Sequence, residues 1–347
     1  MQPYPLVSMC VMFHNQIDYV TRTLAGVFLQ DYSPLEIIIS DDGSTDGTYE
    51  LLQKLLERLK ADYPQFPIVL NHNEKALGVL GNREKVYSLA HGELLINVDG
   101  DDISFPSRAR RFAEVWLENA KRPMMLFCEK VLIDKDNHPW KTAYLKGKPM
   151  GATIAIASSV LPRFQSVTKE AARHAYEDLV YVERCSLLGD IVAIDEPLVY
   201  YRYGAGETTR GDYHKNSSQG LRGIISSSRQ TLLDVEACKG SVPEVKLQGT
   251  KAKAIRQIAY AEGTLPLMTS TSFAERLKCI FKTKYYSGGV KSIVACFILL
   301  LPHTIGDLFF HCIHRAQHAL HRIRARNQEQ SILKHLLDFS RQMDSLT

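Results

Sequence analysis

The sequence predicts an α/β fold: a mostly parallel sheet with helices on both faces, followed by a helical C-terminal region. Three observations lead there. Short apolar runs alternate with amphipathic stretches through the first part of the chain. Two of those runs stop at clusters of aspartate. Beyond about residue 215 the alternation fades, and residues 216–347 read as mainly helical. Runs that are apolar throughout imply strands buried on both faces, the situation of parallel strands covered by crossover helices. Of the 347 residues, 45% are hydrophobic and 23% charged. These ordinary proportions exclude disorder and a many-span membrane protein.

The elements follow in order. Leu6 to Met12 is a buried strand, and Asn15 to Gln30 a helix with Val20, Leu24, Val27 and Phe28 on one side. Glu36 to Ser40 is a second strand, stopped by Asp41-Asp42-Gly43-Ser44. The helix from about Thr45 to Lys60 repeats Leu51, Leu52, Leu55, Leu56 and Leu59 at helical spacing, with Asp46 and Thr48 suited to its first turn. Ile68 to Leu70 is a third strand, Asn82 to His91 a helix, and Leu94 to Val98 a fourth strand ending at Asp99-Gly100-Asp101-Asp102. Pro106 to Asn119 is a helix with Phe112, Val115 and Trp116 inward, and Met124 to Cys128 a further strand. In such sheets ligands bind beyond the carboxyl ends of the strands, where both acidic clusters fall.

The first cluster offers a carboxylate to a base N–H or a ribose hydroxyl, and Gly43 permits a tight turn near a ligand. The same residues also suit an ordinary strand-to-helix turn, so the segment alone does not decide. In the second cluster three carboxylates within four residues repel one another. A divalent cation relieves that repulsion, and oxygen ligands suit Mg²⁺ or Mn²⁺. A solvated acidic loop is the plainer alternative.

Taken together, LVSMCVMFHN (Leu6–Asn15), EIIISDDGSTDGT (Glu36–Thr48), LGVLGNREKVYSLAHGE (Leu77–Glu93), LLINVDGDDISFP (Leu94–Pro106) and YED (Tyr176–Asp178) resemble family-two glycosyltransferases of the GT-A fold, in the right order over about the first 200 residues. The resemblance implies a GT-A domain over residues 1–220 and a helical region over 221–347. It implies transfer of a sugar from a nucleoside diphosphate sugar, a UDP-sugar first, to the hydroxyl of a glycan or lipid-linked acceptor in cell-surface glycan synthesis. By the same resemblance Asp42 contacts the base, Arg83 lies near the nucleotide, and Asp99, Asp101 and Asp102 match the DxD region. Asp101 is then the ribose contact and a second candidate ligand beside Asp102, which holds the metal. Asp178 is the general base of an inverting transfer, with Glu177 the alternative. His14-Asn15 stands where relatives carry Tyr-Asn beside the base, so His14 replaces an aromatic stacking group. The chain departs from relatives in two further places. It lacks Gln-x-x-Arg-Trp, which argues against a processive polymerase, and no histidine follows Tyr201-Arg202 closely. Arg202 is open to two readings, a phosphate contact or a surface salt bridge.

Two rival functions fit the sequence less well. A nucleotidyltransferase needs a Gly-rich basic loop near its start, and Met9 to Asn15 has none. A catalytically silent nucleotide-sugar-binding protein has no need of intact acidic clusters or of Asp178. The net charge of +4 is mild and gives no footing for nucleic acid. Seven scattered cysteines without a CxxC pair suggest buried thiols in a reducing compartment, and the N-terminal residues do not read as a secretory signal. The expected location is cytoplasmic, peripheral on the inner face of the cytoplasmic membrane. The apolar run Ile293–Leu301 is too short to span a bilayer. Behind it, His311, His314, Arg315, His318, His321, Arg322, Arg324 and Arg326 form a basic helical face suited to an anionic membrane surface. The Ser-rich stretch Ser217–Ser228 is the expected transition between the two regions.

Overall fold

The structure, a computed structural model, describes residues 4–143, 148–203, 213–270, 272, 274–275, 278 and 327–344. Its first half runs β1 (Val7–Phe13), α1 (Val20–Phe28), β2 (Leu35–Asp41), α2 (Thr48–Asp62), β3 (Ile68–His72), α3 (Val79–Leu89) and β4 (Leu94–Asp99). Then come β5 (Ile103–Ser104), α4 (Arg108–Glu118), β6 (Pro123–Ile133), β7 (Pro139–Ala143) and β8 (Ile154–Ala157). The described chain finishes with α5 (Lys169–His174), α6 (Glu177–Leu188), β9 (Asp190–Arg202), α7 (Tyr213–Ala237), α8 (Glu244–Thr269) and α9 (Asn327–Asp344).

The nine strands form one sheet in the order β3-β2-β1-β4-β8-β6-β9-β5, with β7 added on β6. The β3-β2-β1-β4 half is parallel, and every residue of β1 and β2 is buried, as expected for central strands covered on both faces. Because these strands are parallel, β1, β2 and β4 end on one edge, carrying His14, Asp41-Asp42 and Asp99 to it together. The other half is mixed. Strand β8 enters antiparallel between β4 and β6, while β6 and β9 run parallel. Apolar cores lie on both sides of the sheet.

Two expected helices start later than their hydrophobic spacing suggests. Asn15 is left-handed (φ 50°) and its N–H is held by the Ser44 hydroxyl, so the first helix opens only as a 3₁₀ turn at Ile17 before α1. Gly47 (φ 94°) delays α2 to Thr48. The Ser-rich stretch, expected as a transition, is helical. It lies inside α7, where Ser226, Ser227 and Ser228 are buried, and residue 220 falls within the same helix. Helix α9 returns to the first half of the chain: Met343 joins the core under α1 and α2, Phe339 meets the Tyr63 ring edge-on, and Leu333 and Leu336 pack with Ile103, Val131 and Tyr200. The apolar run at Ile293–Leu301 and the basic face at 311–326 lie outside the described residues. Among the described residues no helix is long and apolar enough to cross a membrane.

Candidate active site

The β1 and β2 ends are cross-braced. Asn15 Oδ1 accepts from the Thr45 N–H (2.8 Å), and His14 Nδ1 lies 2.8 Å from the Asp42 carbonyl oxygen. The structure thus brings His14, Asn15 and Asp42 together. The Asp42 carboxylate accepts from Asn73 Nδ2 (2.9 Å), Leu77 N (2.8 Å) and Gly78 N (3.0 Å). A carboxylate has about four acceptor directions, so three of them pin the loop ahead of α3 and one remains. Gly43, at φ 67°, sits where a Cβ would come 3.1 Å from Asn73 O and Ala76 N, so the same loop needs glycine there.

Arg83 is the hub of the site. It projects from α3 and is 0% exposed. Its Nε donates to Glu177 Oε2 (2.6 Å), Nη2 to Asp99 Oδ1 (2.8 Å) and Nη1 to the Cys10 carbonyl (2.8 Å). One guanidinium therefore joins α3, β1, the end of β4 and the start of α6. Such planar, charge-assisted pairs hold geometry as well as energy. The structure places Arg83 beneath the edge, with its donors directed at protein groups.

Glu177 and Asp178 occupy the first turn of α6, where carboxylates complement the helix dipole. The α6 N-terminus is held from α7: Ser227 Oγ accepts from Tyr176 N (2.9 Å), and a Cβ at Gly223 would come 2.6 Å from the Tyr176 ring. Glu177 is 6% exposed. Burial pushes its carboxyl up to about 7, with Arg83 acting against that rise and Asp99 adding to it. Asp178 is half-buried, and its Oδ1 accepts from its neighbour Leu179 N (2.9 Å). Burial and then the Asp99 charge raise its carboxyl above the ordinary range.

The acidic loop turns tightly. A Cβ on Gly100 would fall 2.4 Å from both Phe13 Cδ1 and Gln16 Oε1, and 2.6 Å from Met12 O. The Thr23 hydroxyl lies 2.9 Å from the Gly100 carbonyl and 3.0 Å from that of Asp102. Asp102 is 3% exposed; its Oδ1 accepts from Arg202 N (2.8 Å), and among the described residues its buried Oδ2 has no hydrogen-bond partner. Burial, with Asp101 and then Asp99 facing it, pushes its carboxyl well above the ordinary range. An unpaired, buried carboxylate oxygen beside two further carboxylates suits a hard divalent cation, so the residues present fit Mg²⁺ or Mn²⁺.

Arg202 meets neither expectation. It is buried, donating from Nε to the Asp101 carbonyl (2.9 Å), from Nη1 to the Asp134 carbonyl (2.8 Å) and from Nη2 to Asn137 Oδ1 (2.6 Å). It clamps the acidic loop to the β6–β7 turn because β9 ends between them. In that turn Asp134, Asp136 and His138 can bring one ligand atom each within 4.8 Å of one another. The Asp134 carboxylate there already accepts from the N–H groups of Asp136 and His138.

Sequence reading missed Arg108, a buried arginine on α4 that donates to Ser104 Oγ (3.0 Å) and the Ala152 carbonyl (2.7 Å) and feels the charges of Asp102 and Asp99. Its spacing from Phe112 and Trp116, four and eight residues on, was the available clue to the buried face. A separate cavity of about 640 Å³, lined by Leu77, Tyr87, Phe164 and Arg184 among others, contains none of the expected site residues.

The parallel half-sheet with its acidic edge and the ED pair facing it define a GT-A glycosyltransferase. Residues 8–157 match the glycosyl transferase family 2 model. An uncharacterized glycosyltransferase of Haemophilus influenzae is 23% identical over 240 residues, covering 62% of this chain and 71% of that protein. The putative colanic acid biosynthesis glycosyl transferase WcaA of Escherichia coli is 33% identical over 112 residues, 32% of this chain and 38% of that one. Among solved structures, S. aureus TarS 1–349 in complex with UDP-GlcNAc aligns at TM-score 0.53 and 14% identity, over 86% of this chain and 82% of that one. The mannosyltransferase PcManGT of Pyrobaculum calidifontis, in complex with GDP-Man and Mn²⁺, aligns at 0.52 and 16%, over 99% and 88%. At these identities the two structures speak to the fold.

Proposed function

We propose that this glycosyltransferase moves one sugar, with inversion, from a nucleoside diphosphate sugar to an acceptor hydroxyl in cell-surface glycan synthesis. The observation that supports the reading is the Arg83 hub, which ties Asp99 at the end of β4 to Glu177, the neighbour of Asp178. His14, Asn15 and the remaining acceptor direction of Asp42 take the nucleoside, with Asp101 at the ribose. Asp102, with Asp101, would hold Mg²⁺ or Mn²⁺, which when bound neutralises the diphosphate leaving group. Asp178 takes the acceptor hydroxyl's proton as the new bond forms at the sugar carbon, and its raised carboxyl makes it a stronger base than an ordinary aspartate. Glu177 is the weaker candidate because Arg83 already occupies its oxygens. Arg83 acts through these carboxylates as a positioning residue.

The names of the relatives support the acceptor class, and the nucleotide sugars in the two aligned structures support the donor class, with UDP the first choice. Residues 221–347 are proposed to dock the enzyme on the cytoplasmic face of the membrane through the apolar run and basic face near 290–326. A panel of UDP- and GDP-sugars with Mn²⁺, assayed for nucleotide release, tests the central reading. Cleavage of none of them removes it.

A further inference from the structure

Lys130 lies on β6, 7% exposed, on the far side of the acidic loop from the β1–β2 edge. Its ammonium is 2.7 Å from Met150 Sδ and 4.1 Å above the centre of the Tyr201 ring. Among the described residues it meets no oxygen acceptor. An ammonium carries three donors, and a thioether and an aromatic face satisfy them poorly. A buried cation left in that state is costly unless something supplies oxygens.

The same stretch holds the complementary irregularity. Among the described residues Asp102 Oδ2 is buried without a partner, and Asp102 is the charge that Lys130 feels most strongly, yet the two side chains form no ion pair. Tyr201, on which Lys130 stacks, adjoins the residue whose N–H holds Asp102 Oδ1, and its hydroxyl is pushed upward by burial and by the charges of Asp102, Asp99 and Asp101. Within the described residues, a cation without an oxygen partner and a carboxylate oxygen without a donor thus flank Tyr201 without neutralising each other. A cation on Asp102 carrying an anionic ligand that reaches Lys130 would satisfy both.

We propose that Lys130 is a donor-binding residue whose ammonium pairs with anionic oxygens of the donor distal to its nucleoside. Those oxygens belong to the β-phosphate or to the carboxylate of a uronic acid sugar. The inference rests on the nucleotide-sugar reading above. It adds a specificity determinant from the mixed half of the sheet, beyond residue 106 where the matching motifs of the acidic edge end.

The test is calorimetry of the full chain with Mn²⁺ and each of UDP, UMP, GDP and GMP, for wild type, Lys130→Met and Lys130→Arg. Methionine keeps the volume and leaves no desolvated charge, so the fold survives, as near-UV circular dichroism checks. If the β-phosphate is the partner, Lys130→Met binds the preferred diphosphate on the order of 10- to 100-fold more weakly, the matching monophosphate binds unchanged, and arginine recovers part of the loss. If the sugar carboxylate is the partner, the loss appears only with the matching nucleotide-linked uronic acid and not with the neutral hexose. Equal affinity of wild type and Lys130→Met for all these ligands overturns the proposal. A wild type that binds neither UDP nor GDP overturns the underlying functional reading too, so the two failures are distinguishable.

Discussion

Replacing Arg83 by methionine removes the group on which three parts of the site converge. Two carboxylates lose their counter-ion, but unequally. The Asp99 side chain is 32% exposed and can turn to water, whereas Glu177 is almost wholly enclosed. Breaking a buried pair by deleting one partner costs about 3–5 kcal/mol. With only one of the two carboxylates stranded, a loss of about 3 kcal/mol near pH 7 is expected. The pH dependence has a definite sign. Glu177 in the folded wild type is already raised to about 7 from 4.5, so it binds protons that the unfolded chain releases, and its contribution fades as pH rises through about 7. Without Arg83, which holds it down, the folded value climbs further. The variant's deficit should therefore widen above pH 7, by at most about 1.4 kcal/mol per pH unit. Urea unfolding followed by circular dichroism at pH 6, 7 and 8 measures this, with the m-value checked for constancy. Glu177→Gln in the Arg83→Met background should recover about half of the loss, since a neutral amide needs no counter-ion. A deficit below about 1 kcal/mol at every pH, or strictly additive single substitutions, would refute the hub.

Further outcomes are expected from the same geometry. Asp178→Asn should lower transfer by about 10²–10⁴-fold while leaving nucleotide affinity at the wild-type value, read by product formation beside calorimetry. Because the base must be ionised and its carboxyl is raised above 3.8, wild-type kcat/KM should fall on the acid side at a pH above that of an ordinary aspartate. An acid limb at the ordinary value or below would place the base elsewhere. Gly100→Ala should destabilise by about 1–3 kcal/mol in a denaturant titration, since its Cβ meets the Met12 carbonyl and the Phe13 ring. Wild-type stability there would mean the loop is looser than drawn.

The first half of the fold was legible because its strands are apolar throughout and its helices keep one apolar face. Val7–Phe13, Leu35–Asp41 and Leu94–Asp99 could be placed from composition alone, and their shared direction put the acidic clusters on one edge. Strand β8 was not legible. Ile-Ala-Ile-Ala is a short apolar tetrapeptide whose antiparallel place between β4 and β6 depends on partners far off in the chain. Length alone hid β5, which has two residues. At the site, residue types carried the chemistry but not the connections. Arg83 and Glu177 are 94 residues apart, and nothing in either segment announces the pair. Arg202 read as a surface or phosphate-facing group because its partners are mostly backbone carbonyls, which leave no trace in side-chain composition. The serines of α7 read as a transition between regions because a buried serine that braces another helix has the same letter as one in a loop.

The most direct measurement is nucleotide release from the UDP- and GDP-sugar panel by wild type and Asp102→Asn, each with Mn²⁺ and with the metal chelated. A carboxamide offers a neutral oxygen where a charged ligand is needed, and it leaves the packing of the loop intact. The account predicts release from at least one donor by the wild type only when metal is present, and none above background from a folded Asp102→Asn. Release that survives both chelation and the substitution would contradict it.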